Sequence, residues 1–152
     1  MAVAHPDKSN AVKISATILN EARRVLENPA LRLRHLIALE FPNQKPAAAP
    51  PPDWDFFQRI GETSMLASDL VAKLRDAKQP IVRATILARV ASCIHSIESL
   101  QKEVAERREA LQERLREASR VGWKLDTLQA LAEEWTFLER SANSLREARL
   151  LL

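Results

Sequence analysis

From Pro80 to about Arg120 the chain runs for roughly 40 residues without a glycine or a further proline, about 60 Å if helical at 1.5 Å per residue. Its apolar residues Val82, Ile86, Val90, Ile94, Ile97, Leu100, Val104, Leu111, Leu115 and Ala118 recur at intervals of three, four and once seven residues, which places them on one helical face. Outside this seam the second half is polar, with Glu103, Glu106, Arg107, Arg108, Glu109, Glu113, Arg114 and Arg116 spaced for i,i+4 pairing in water. A stripe this long calls for other helices to cover it, and the polar end of the helix is expected to project or curve. The chain has only two glycines, few β-branched or aromatic runs, and abundant Ala, Leu, Glu, Arg and Lys, so it leaves almost nothing for hairpins. The expected fold class is all-α.

Two partners for the long helix can be read on either side of it. Asp53 offers an N-cap for a helix through about Ala77, with Phe56, Ile60, Thr63, Ala67, Leu70 and Leu74 on one face, and Lys78-Gln79-Pro80 breaks it. Gly122 stands where a helix C-terminus needs positive φ. After it Leu128, Leu131, Trp135, Leu138, Ala142 and Leu145 form a seam close to a 3.5-residue repeat. Residues 53–152 are therefore expected to form an antiparallel three-helix bundle, with Trp54, Trp123 and Trp135 capping and filling it. Residues 41–52 hold five of the eight prolines and read as a Pro-rich, semi-rigid linker. In residues 1–40, Ile14, Ile18, Ala22, Val25 and Leu26 predict a helix with a buried side. Asn28-Pro29 ends it and starts a shorter helix with Leu33, Leu36, Ile37 and Leu39.

The charge pattern and single thiol exclude several classes of function. The net charge is +3, but the 23 basic and 20 acidic residues interleave along helical faces, so no nucleic-acid partner is expected. The largest local basic excess, Arg23, Arg24, Arg32 and Arg34, suits a protein-docking face equally well. Cys93 is alone and cannot form an intrachain disulfide; it reads as buried filler. No apolar run approaches a membrane span or a secretory segment, so the expected address is the cytoplasm, with no membrane partner. His95 and Glu98 have a metal-compatible spacing but no second pair, and no metal or other cofactor is expected. Neither a phosphate-cradling loop nor a Ser-His-Asp arrangement can be assembled, so an enzyme is not expected.

One short motif points further. His5-Pro6-Asp7-Lys8 is followed by a helix containing Asn20-Glu21-Ala22, then by Leu26-x-x-Pro29-x-x-Arg32 and Leu36-Ile37. Together these pieces resemble the second half of a J-domain. With the Pro-rich spacer and three following helices, nearly the whole chain resembles the J-protein co-chaperones of iron-sulfur cluster assembly, the HscB type. In that family the proline fixes the loop direction, the His and Asp offer polar groups to the partner ATPase without doing chemistry themselves, and the loop acts with the basic helix before it. The resemblance implies a partial J-domain over residues 1–40 and an HscB-like bundle over 53–152. It implies that His5, Pro6, Asp7 and Lys8 bind a DnaK/HscA-type chaperone ATPase. It also implies that Phe57, Gln58, Glu62 and Phe137 bind an iron-sulfur cluster scaffold, Phe137 lying in Trp135-Thr136-Phe137-Leu138-Glu139.

The chain departs from the family at Arg23, where an aromatic is usual, at His35, where a tyrosine is frequent, and at Gly61 and Ser64. A J-domain also has two helices before the loop, whereas Met1 to Ala4 precede it here. The expectations that follow are a face of Ile14, Ile18, Ala22 and Val25 without its usual cover, and either a fuller version beginning upstream or a decayed gene. The alternative, independent of the resemblance, is a helical-bundle adaptor without J activity, and Phe57, Glu62 and Phe137 have an ordinary packing role as their alternative.

Overall fold

The computed structural model describes residues 8–45 and 53–152 and is all-helical over them, with no strand among the described residues. Five helices follow in order: α1 (Lys8–Glu27), α2 (Pro29–Glu40), α3 (Trp54–Asp76), α4 (Pro80–Val121) and α5 (Leu125–Leu151). The breaks fall where local chemistry demands them. Asn28 caps α2 by accepting from the Leu31 amide at 2.9 Å, with Pro29 in the first turn. Asp53 caps α3 through the Phe56 amide at 3.0 Å. Gly122, at φ 104°, ends α4 with its amide on the Ala118 carbonyl.

α3, α4 and α5 each pack against the other two. Contacts between them give the directions. Asp53 meets Arg107, Arg59 meets Glu103, and the Cys93 thiol faces the Thr63 carbonyl, so α3 and α4 run antiparallel. Arg114 meets Glu134 and Arg149 meets Glu98, so α4 and α5 do too. Phe56 beside Phe137 and Ser64 beside Ser144 then set α3 parallel to α5. The core between them holds Phe56, Leu70, Ile97, Leu111, Leu128, Leu131, Leu138 and Leu145, all essentially inaccessible to water. Each such side chain stabilises the fold by about 1.5–3 kcal/mol through burial.

α2 lies on α5, burying Ala30 and Leu33, and Asn28 and Arg34 hydrogen-bond Glu139 and Thr136. The N-terminal helical pair is thereby attached to the other three helices across the Pro-rich stretch. α1 forms as expected but lacks the buried side that its periodicity alone predicts, in keeping with a face expected to go without its usual cover. Among the described side chains of its apolar face, Ile18 is 61% and Leu26 66% exposed while Val25 is half-buried, and α2 is the one described element it packs against. Periodicity gave α1 an apolar face, but no described helix lies where it would be covered.

Two further expectations need correcting. Trp54 does not cap the bundle; it is 65% exposed, because it lies two residues before inward-facing Phe56 and so on the other side of α3. The first half of α4, crossed only by Arg83 and Arg89, is long and apolar enough by composition to span a membrane, although no such run was expected. Gly61 sits mid-helix in α3, and a β-carbon there would meet nothing within 4 Å. Gly61→Ala is therefore expected to stabilise the fold by about 0.5–1 kcal/mol through helix propensity and a less flexible unfolded chain, read as a higher urea midpoint.

Candidate functional site

At the N-terminal end of α3 the chain builds an aromatic cluster that reaches the surface. Phe56 points inward and is fully buried, while Trp54 and Phe57 point outward, at 65% and 53% exposure. The ring of Phe57 lies 6.0 Å from Trp54 in an edge-to-face arrangement and 6.2 Å from Phe137 on α5. Phe137 is partly buried and also meets Phe56 at 6.1 Å. Separations of this size are favourable for aromatic pairs. Trp54, Phe57 and Phe137 thus form one apolar patch with a rigid floor.

The floor is fixed by charge. Arg107 from α4 stacks 4.1 Å from the centre of the Phe56 ring, with Arg59 at 5.3 Å. Arg107 donates to Asp53 and Glu103, both at 2.9 Å, and Arg59 donates to Glu103 at 2.8 Å. Burial works against the charge on Arg107, yet its bonds to Asp53 and Glu103 outweigh this and raise its pKa above the ordinary value. The Phe56 amide and the Arg107 guanidinium hold the Asp53 carboxyl below its ordinary 3.8. A carboxyl depressed in the folded state contributes stability above the unfolded-state pKa and loses it as pH falls through the folded-state value. Acid titration of helicity below pH 3.8 should accordingly be shallower in Asp53→Asn, which keeps the cap on Phe56 and removes the titrating group.

The four candidate client-binding residues divide into two pairs. Phe57 and Phe137, 80 positions apart in sequence, come together in the patch. Gln58 and Glu62 lie on the adjoining exposed strip of α3, where Gln58 donates to Glu62 at 2.8 Å. Glu62 also lines a shallow cleft between α3 and α4 with Arg59, Thr63 and His95, away from Phe137. Of the candidate chaperone-binding residues, His5, Pro6 and Asp7 lie outside the described residues, and Lys8 opens α1.

Trp54 and Arg107 belong to the site and escaped the sequence reading. The signal for Trp54 was present in its two-residue offset from Phe56. Glu98 is engaged by Arg149 at 3.1 Å, and no group of three or more His, Cys, Asp or Glu suited to a metal occurs among the described residues. Burial pushes the Cys93 thiol up, which disfavours the thiolate. The fold and site define an all-helical protein with a preorganised aromatic patch on its surface. Comparisons with protein-family models, with curated proteins and with solved structures gave no match.

Proposed function

We propose that this chain is a non-enzymatic co-chaperone of the HscB type, which holds a protein client on the Trp54, Phe57 and Phe137 patch. The observation that carries the reading is the convergence of Phe57 and Phe137 into one half-exposed cluster 6.2 Å apart, on a floor locked by Arg107. Exposed aromatics on a rigid support are the residues that dominate protein-protein binding energy, because little ordering entropy is lost when they dock. By the resemblance, the client is an iron-sulfur cluster scaffold. His5-Pro6-Asp7-Lys8 then addresses a DnaK/HscA-type ATPase. The docking of α2 on α5 beside Thr136 and Glu139 supports this reading, since it ties the segment after that motif to the helix carrying Phe137.

The test is stimulation of a DnaK-type ATPase by the full chain, with His5→Gln as control, alongside capture of an iron-sulfur scaffold protein. Stimulation lost in His5→Gln, together with capture lost in Phe57→Ala, supports the reading. A second reading, a helical adaptor without J activity, is favoured by the uncovered face of Ile18, Leu19 and Leu26 on α1. Wild type and His5→Gln equally inert toward the ATPase, with a client still captured, would select it.

A further inference from the structure

The far end of the molecule, about 30 Å from Phe57 along α3, has a different surface. Arg149 near the end of α5 contacts Glu98, so α5 stops roughly opposite residue 96, and the first turns of α4 lie past it, against α3 alone. Their outward face is formed by Ile81, Ala84, Leu87, Ala88 and Ala91, all exposed, with Ile81 at 77% and Leu87 at 48%. No charge interrupts it. The two hydroxyls on this face, Thr85 and Ser92, donate to the Ile81 and Ala88 carbonyls one turn back, so neither depends on water for a partner.

Cations border this apolar face. At about 100° per residue, Arg83 and Arg89 fall on its two flanks. Between residues 73 and 89 there are five cations, Lys73, Arg75, Lys78, Arg83 and Arg89, against the single carboxylate Asp76. Lys73 pairs with Asp69, whereas Arg75, Lys78, Arg83 and Arg89 make no ion pair among the described residues, and Arg83 donates to the Leu74 carbonyl at 3.4 Å. Farther along the same helix Lys102, Arg107, Arg114, Arg116 and Arg120 have carboxylate partners, whereas Arg108 has none among the described residues. Four cations without a described carboxylate partner thus lie beside the uncharged outward face of the first turns of α4.

We propose that this end docks on an anionic lipid surface, with α4 lying in the interface, Ile81 and Leu87 entering the headgroup layer, and Lys78, Arg83 and Arg89 at the phosphates. An uncharged helical face with basic flanks is the form of an interfacial helix, and arginine stems extend along apolar surface while keeping the charge at the phosphates. Charge decides between occupants. A second copy would bring like-charged ends together, and a neutral apolar groove would leave the arginines unpaired. Packing favours a helix that lies in the interface over one that crosses it, because Ile86, Val90 and Cys93 on the other side of α4 are buried. The seam expected from sequence takes in Val82, Ile86 and Val90 but none of these outward residues, and no membrane partner was expected. The inference does not rest on the client reading.

The experiment is flotation of the full chain with vesicles of phosphatidylcholine alone or mixed with phosphatidylglycerol, at low and high salt. Binding is expected only to the mixed vesicles and only at low salt. Arg83→Gln and Arg89→Gln should each weaken it about fivefold. Ile81→Asp should abolish it while leaving helicity intact, since aspartate in the first turn of a helix is favourable. Absence of wild-type binding to the mixed vesicles, or binding unchanged in Ile81→Asp and the arginine variants, would overturn the proposal. So would a dimer in sedimentation velocity that Ile81→Asp dissolves without any vesicle binding, which would make a second copy the occupant.

Discussion

Phe56→Ala is expected to destabilise the chain by about 3–5 kcal/mol, the largest effect of any single truncation near the aromatic patch. Phe56 is fully buried between α3, α4 and α5, so its removal forfeits both transfer free energy and packing around the cavity left behind. Its face is also the surface on which Arg107 stacks, and its amide is the donor that Asp53 caps. Alanine keeps the amide and removes the stack, so the ion pairs of Arg107 with Asp53 and Glu103 lose their platform. Urea unfolding followed by circular dichroism should show a lower midpoint in Phe56→Ala. Phe56→Leu should recover most of the loss, because it refills most of the volume. Equal losses in both variants would mean that the ring face, through Arg107, outweighs volume at this position.

The parts of this architecture that were legible in sequence are those governed by local chemistry. Asn28-Pro29, Asp53, Pro80 and Gly122 each act within four residues of themselves, through a missing amide, a capping side chain or a permitted φ, and each marks an observed helix boundary. The seams of α3, α4 and α5 were legible because periodicity identifies an apolar stripe. What covers a stripe is not local. Ile18 and Leu26 on α1 have the same spacing as the buried residues of α4 and remain in water.

The candidate site divides in the same way. Phe57 and Phe137 were picked out by resemblance, whereas their contact depends on α3 and α5 running parallel in a particular register. The pairing of Arg107 with Asp53 was not legible, because 23 basic and 20 acidic residues offer many equally plausible partners until the helices are packed.

Phe57→Ala is expected to separate binding from folding, and this makes it the sharper probe of function. Phe57 is 53% exposed, so truncation should cost folding stability no more than about 1 kcal/mol, well below the cost at Phe56. If the patch is the client surface, the same change removes the ring joining Trp54 to Phe137, and affinity should fall about 30-fold or more, the scale of an aromatic hot spot. Phe137→Ala cannot make this separation, because Phe137 also packs against the core and against Phe56. Trp54→Ala offers an independent check, since Trp54 is still more exposed and stacks only at the rim. The measurement is titration calorimetry with a scaffold protein, paired with urea unfolding of each variant. Loss of affinity in both variants with unchanged unfolding midpoints would mark the patch as the contact surface. Undiminished affinity in both would move the contact elsewhere and leave the aromatic cluster a closing element for the end of the three packed helices.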